Sequence, residues 1–278
     1  MNIPEQEQID HWLQTAKERI ERKRSLYKEG FYEQEQIPLQ DHYTSLGGWH
    51  ASHARAKFLN SDPLDEVRAE FAAAARHVMK SFTMAYDPTD PDYVGNKEPP
   101  PESLGVAYGC VNWAQVDEIT FTEGAGYALM AADFDLARTL AQWFRQRPDG
   151  RQKSIEVNQY AHALASTLKD NIEEAKRLML LQTLGYEKKP AKGTGARANF
   201  FTLSTALIGI LDCNDELFNQ GLLAQLKFYQ REAQGELKNT DEEFICDYAV
   251  ALANLGLHRG LKVTVEYDTL PKGLLITT

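Results

Sequence analysis

Apolar side chains recur along this chain at helical spacing. Residues 5–29 place Ile9, Trp12, Leu13, Ala16 and Ile20 on one side among charged neighbours. Arg22, Lys23 and Arg24 crowd the end of that run, where positive charge suits the helix dipole, and Gly30 terminates it. Residues 31–44 read as a loop around Pro38, and a short helix is expected over 49–59. Ser61-Asp62-Pro63 is a helix start, with an oxygen-bearing cap and proline at the first turn. The helix that follows carries Leu64, Val67, Phe71, Ala74, Ala75, Val78, Met79 and Phe82 on one stripe, the mark of a core-facing helix.

Residues 87–104 interrupt the pattern with Pro88, Pro91, Pro99, Pro100 and Pro101 among the acids Asp87, Asp90, Asp92, Glu98 and Glu102. Proline removes the amide donor and clashes with the preceding turn, so this stretch is expected as a surface loop or a seam. It divides the chain into an N-terminal helical region (1–86), the proline-rich acidic loop (87–104) and a C-terminal helical-hairpin region (105–278), which together are also compatible with one continuous domain. In the last region Asp133 and Asp170 are expected to cap helices over 134–147 and 171–184, each preceded by a small-residue run. This is a faint echo of stacked helical hairpins, and ordinary antiparallel helices would give the same pattern.

A basic, glycine-containing loop from Pro190 to Gly195 is followed by helices over about 197–211 and 214–234. Thr240 and Glu243 have capping-box spacing, and a last helix is expected to run to about Leu257. Residues 261–267 alternate, with Val263 and Val265 on one face, and read as a short strand. The fold class expected is therefore all-α, built of antiparallel helical hairpins stacked in a bundle or short solenoid, with one or two short strands near the C-terminus.

A chain of 278 residues can bury a core without disulfide or metal staples. The three cysteines, Cys110, Cys213 and Cys246, are far apart and form no Cys-x-x-Cys pair, so buried free thiols in a reducing compartment are expected. The polar, acidic N-terminal residues do not resemble a secretory signal. The longest apolar run, 200–211, falls short of the roughly 18 residues that a spanning helix needs. A cytoplasmic protein with no membrane partner is expected. Forty acidic against thirty basic side chains give a net charge of −10, which argues against nucleic-acid binding and is compatible with a basic protein partner or with plain solubility. Residues 61–150 carry 15 acids and 7 bases, whereas 151–210 carry 5 acids and 9 bases.

Chemical motifs are weak. Lys192-Gly193-Thr194-Gly195 lacks the order and the preceding strand of a phosphate loop. His42, His50 and His53, with His77 within reach, do not have zinc-site spacing and are expected to pack near Trp49. Gly124 and Gly126 lie inside a helical pattern, where close helix packing explains them better than dinucleotide binding. No nucleophile elbow is present, Cys110 has no activating neighbour in sequence, and acid pairs such as Asp117-Glu118 and Asp133/Asp135 do not face each other on a helix. No catalytic residue, cofactor or metal is assigned, and an enzyme is not expected.

Three short motifs lie between Asp212 and Leu275. The first is an Asp-x-x-Phe-Asn helix start at Asp215, Phe218 and Asn219. The second is a small-residue helix ending in Leu257-His-Arg-Gly-Leu-Lys-Val. The third is a closing Leu-Pro-x-x-Leu-Leu at Leu270, Pro271, Leu274 and Leu275. This stretch resembles the bacterial immunity protein 49 family, closely over the last quarter of the chain and loosely over 105–211. The resemblance implies an all-α protein of a polymorphic-toxin or secreted-effector system (type VI secretion among them) that binds a cognate toxin encoded nearby, and it brings no catalytic residues. Phe218, Leu252, Leu257, Leu270 and Leu274 also suit plain core packing, and Gly260 and Pro271 suit turns. On charge clustering, the partner face is expected at Asp87, Asp90, Asp92, Glu98, Glu102, Asp117 and Glu118. The alternative is a repeat-like helical adaptor that binds a peptide or protein.

Overall fold

The computed structural model describes residues 4–95, 97–100, 107–148, 150–189 and 195–277. Among them the chain is all-α: α1 (Gln6–Lys28), α2 (Phe31–Gln34), α3 (Leu39–Leu59), α4 (Leu64–Tyr86), α5 (Glu118–Met130), α6 (Phe134–Trp143), α7 (Ile155–Leu168), α8 (Ile172–Lys188), α9 (Ala196–Leu211), α10 (Asp215–Ala233) and α11 (Asp247–His258). Short 3-10 turns supplement them at Trp113–Gln115, Asp241–Phe244 and Lys272–Leu274.

Helices α3/α4, α5/α6, α7/α8 and α9/α10 form consecutive hairpins. Each turns through one non-glycine residue in the left-handed region: Ser61, Ala132, Asp170 and Cys213. The last three turns are built alike. A C-capping residue, the left-handed residue and an N-capping residue make up the whole connection. In each, the left-handed amide donates to a carbonyl three residues back and the next amide to one five back, as for Ala132 to Leu129 (3.1 Å) and Asp133 to Ala128 (2.9 Å). The hairpin echo in the sequence is thus a structural repeat in a different register. Asp170 matches Ala132, and Asn171 holds the place of Asp133.

Asp133 caps α6 by accepting from the Leu136 amide at 2.9 Å, as expected. Asp170 does not cap α8; its carboxylate instead takes Arg259 at 2.6 Å and Arg138 at 3.3 Å. An aspartate tolerates the left-handed region, which frees its side chain to bridge neighbouring hairpins.

Helix α1 lies along α3 through Ile9, Ala16 and Ile20, and α4 and α11 both pack on α5. One apolar cluster runs from Ala51 to Leu274, so the core crosses the 87–104 seam. Alanines and glycines bring the helices close. A Cβ on Gly209 would lie 2.3 Å from the Phe218 nitrogen, and one on Gly221 2.3 Å from the Ala206 nitrogen, which fixes α9 against α10. Gly124 is equally confined by Val78 at 2.5 Å, as its helical context suggested, but a Cβ on Gly126 would meet only Ala251, at 3.9 Å.

Several boundaries differ from the expectation. α3 begins at Leu39, ten residues before the expected start, because Pro38 occupies its N-cap instead of breaking it. Pro63 is likewise the N-cap of α4, so neither Ser61 nor Asp62 caps through its side chain. α6 ends at Trp143, not 147, and α8 continues to Lys188. Thr240 makes no capping bond; its hydroxyl donates to the Leu237 carbonyl at 2.6 Å while Glu243 accepts from the Asn239 amide. The Pro190–Gly195 loop lies, up to Thr194, outside the described residues.

The strand expected at 261–267 does not form: its side chains alternate between inward and exposed positions, but it has no partner strand among the described residues. Side chains of α10 replace one. Asp215 accepts from the Lys262 amide at 2.9 Å, Asn219 accepts from the Thr264 amide at 2.7 Å, and the Asn219 amide donates to the Lys262 carbonyl at 2.8 Å.

Candidate functional site

Arg55 is the one buried arginine of α3, flanked in sequence by Ala54 and Ala56. Only 3% of it is exposed. An unpaired buried guanidinium would be very costly, and here it is fully paired. Nε donates to Asp241 at 2.8 Å, Nη1 to Asp247 at 2.7 Å and Nη2 to Glu242 at 3.1 Å. Burial alone would lower its affinity for the proton, but the three carboxylates outweigh burial and hold it charged. Three acids share one cation, and Asp247 shows the imbalance. Burial, with Glu242 and Asp241, pushes it up to about 6 against the pull of Arg55. Its second oxygen, Oδ1, is buried without a hydrogen-bond partner.

This hub forms one side of a cleft of about 130 Å³ lined by Glu123, Gly126, Tyr127, Tyr229, Glu242, Asp247 and Tyr248. Glu123 and Tyr127 lie one turn apart on α5 and therefore share a face. Gly126 beside them leaves the cleft open. Tyr229 comes from α10, where its hydroxyl is tied to the Ile245 carbonyl at 2.8 Å and its ring becomes wall. Asp247 and Tyr248 open α11, where a carboxylate suits the helix dipole.

Glu123 has much accessible surface, yet protein atoms crowd it on the cleft wall. That desolvation pushes its carboxyl up to about 7; Asp117, Glu242 and Asp247 add to the shift and Arg55 opposes it. Tyr229 and Tyr248 also border a second hollow of about 260 Å³ with Asn199, Gln225, Phe228 and Glu232 in its wall.

The acids singled out in the sequence have varied fates. Asp117 is 3% exposed, caps α5 through the Ile119 and Thr120 amides and pairs with Lys153 at 2.9 Å. Glu118 is also buried and accepts from Asn158 at 2.9 Å. Asp90 is held by Lys80 and Thr83, and Asp92 pairs with Lys80 at 3.0 Å. Asp87 accepts from the Thr89 amide, Glu98 is exposed, and Glu102 lies outside the described residues. Of these acids Asp117 and Glu118 are buried, whereas Asp87, Asp90 and Asp92 are half-buried. The cleft carboxylates Glu123, Glu242 and Asp247 were not singled out, because acids are common in this chain. The available signal was Arg55 itself, a charge flanked by alanines in the run Ala54-Arg55-Ala56.

The histidines do come together. His50 Nδ1 lies 2.6 Å and His53 Nδ1 3.2 Å from Glu70, while His77 stacks on His50 at 5.1 Å between centroids. Burial lowers His42 and His77 to about 4, with Lys23 acting on the first and His50, Arg24 and His42 on the second. Among the described residues, no three His, Cys, Asp or Glu side chains converge as a metal site requires. Of the cysteines, only Cys246 is buried; Cys213 is exposed on its turn and Cys110 is half-buried, contrary to expectation. Cys246 is pushed up to about 12 by burial. A larger groove, about 460 Å³ between α8 and α9, is bordered by Leu180, which is 60% exposed.

The three motifs near the C-terminus assemble around one place. The Phe218 ring sits on Gly256, where a Cβ would lie 2.3 Å from it, and Asp215 and Asn219 bind the 262–264 backbone. Asn254 donates to the Leu129 and Leu274 carbonyls at 3.0 and 3.2 Å and accepts from the Ile276 amide at 3.0 Å. These residues hold the C-terminal segment to the core. Among the described residues, no helix is long and apolar enough to cross a membrane. No known protein family, curated protein or solved structure matches the chain.

Proposed function

We propose that this is a binding protein without catalysis of its own, an immunity protein that neutralises a cognate bacterial toxin by covering it. The observation that carries the reading is the Glu123–Asp247–Glu242 cleft, a concave wall of acceptors and tyrosine rings backed by a single, already committed cation. Such a surface is complementary to a basic protein, and charge complementarity of this kind speeds encounter and rejects wrong partners. The resemblance read from the three C-terminal motifs points the same way, although no family model matches the chain and the motif residues act inside the fold, where they position α11 and the cleft residues it carries.

A second reading, a helical adaptor, is favoured by the three matching hairpin turns at Ala132, Asp170 and Cys213. Stacked hairpins of this kind form extended surfaces for peptides.

Co-expression separates the two. The chain is produced with the product of the neighbouring gene, and growth and complex formation are measured. Suppression of that product's toxicity, with a complex near one to one, supports the immunity reading. A neighbouring product that is not toxic, or that kills cells undiminished and does not bind, overturns it.

A further inference from the structure

The cleft is small and its walls have one chemical character. About 130 Å³ holds the end of one side chain, whereas drug-sized ligands occupy pockets of about 300–1,000 Å³. Its polar groups are acceptors or tyrosine hydroxyls. Glu123 has no hydrogen-bond or ion-pair partner among the described residues, and Asp247 Oδ1 is buried without one. The guanidinium that faces these acids is consumed by Asp241, Glu242 and one oxygen of Asp247. Tyr127, Tyr229 and Tyr248 line it, and aromatic rings attract cations.

We propose that this cleft receives one cationic side chain, a lysine ammonium or an arginine guanidinium, presented by the protein partner. The inference rests on the binding-protein reading and adds the chemistry of the contact. The cation meets the Glu123 carboxylate at the rim and lies near the negative charge of Asp247 in the wall, with the tyrosine side chains beside its alkyl stem. The adjoining hollow beyond Tyr229 and Tyr248, with Asn199 Oδ1 buried and unpartnered in its wall and Glu232 beside it, accommodates the residues flanking that side chain. A partner cation here neutralises carboxylates that the fold leaves in excess, so the contact favours binding without reorganising the hub.

The test is an NMR titration of the full chain with N-acetyl-arginine amide, N-acetyl-lysine amide, uncharged N-acetyl-citrulline amide and calcium chloride. One or both cationic amides are expected to shift Gly126, Tyr127 and Tyr248 resonances, and the citrulline analogue is not. Glu123→Gln is expected to weaken that binding about tenfold, as loss of one charge-assisted contact implies. Asp135→Asn, on a remote exposed side chain, leaves it unchanged. Equal binding of the citrulline analogue, no shift with either cation, or calcium binding in their place overturns the assignment, as does undiminished binding by Glu123→Gln. Glu123→Lys, which supplies the cleft with its own cation, must abolish amide binding in a chain that keeps its wild-type spectrum elsewhere. A toxin that Glu123→Lys still binds and suppresses equally well removes the cleft from the interface while the immunity reading stands. Amide binding without any toxic partner keeps the site and removes the immunity reading.

Discussion

Arg55 Nη1 donates to Asp247 Oδ2 at 2.7 Å, joining residues 192 positions apart in sequence. That contact ties α3 to the start of α11 and sets the inner limit of the acidic cleft. Replacing Arg55 by methionine keeps the volume and leaves Asp241, Glu242 and Asp247 facing one another. The expected loss is about 3–5 kcal/mol at pH 8, as for breaking other buried pairs. The loss should be smaller at pH 5, where Asp247, already raised to about 6, takes up a proton. Urea unfolding at both pH values checks this. A cost below about 1 kcal/mol at pH 8 would mean that the hub is dispensable.

Between pH 4.5 and 6.5 two sets of groups oppose each other, so stability should change less with pH than the buried His42, His77 and His162 alone would make it. His42 and His77 bind protons near 6.5 when unfolded but only near 4 when folded, so they cost stability as pH falls through this window. Glu123 and Asp247 do the reverse. Their folded values, about 7 and 6, lie above the unfolded ones, so their contribution is complete at low pH and is lost as pH rises through the folded values. Glu123→Gln removes one member of the second set. Its melting temperature should fall more steeply than wild type between pH 6.5 and 4.5. At pH 8 it should exceed wild type by at most about 2–4 °C, since solvent around Glu123 screens the effect. Thermal melts across this range decide; parallel curves for variant and wild type would contradict the opposition.

Asn254 secures the C-terminal segment from both sides of its amide. Asn254→Ala leaves the Leu274 carbonyl and the Ile276 amide without their partner and removes one of the two bonds to the Leu129 carbonyl, and it should cost about 2–4 kcal/mol. Hydrogen exchange should speed up first at Ile276. Protection there equal to wild type would show that the segment is held by other contacts.

Glycines at different places should respond with opposite signs to alanine. Gly221→Ala drives a Cβ into the Ala206 backbone and should destabilise by about 1–3 kcal/mol or more. Gly185→Ala, on α8 with nothing within 4 Å of the added carbon, should stabilise by about 0.5–1 kcal/mol through the unfolded state. Equilibrium unfolding of the pair tests whether α9 and α10 meet as closely as described.

Much of the secondary structure was legible because its signals are local. The α4 stripe, the Asp133 cap, the near-correct limits of α9 and α10 and the end of α11 each depend on residues within a few turns. Errors arose where one residue type serves two conformations. Pro38 begins a helix as well as it ends one, and Asp170 fits a left-handed turn as well as a cap. The 261–267 segment alternates like a strand because it lies against a core on one side, and its backbone partners turned out to be the side chains of Asp215 and Asn219.

The sequence by itself determined an all-α chain of hairpins, for helical periodicity and turn residues act over short distances and survive any arrangement of the helices. It also determined the acidic excess. Which acids remain available was decided only by the tertiary structure. Packing buried Asp117 and Glu118 against Lys153 and Asn158, and it brought Arg55, Glu123, Tyr229, Glu242 and Asp247 together from four helices and a 3-10 turn. Burial and pairing set the energy of a charge, and both depend on neighbours that the chain meets only when folded.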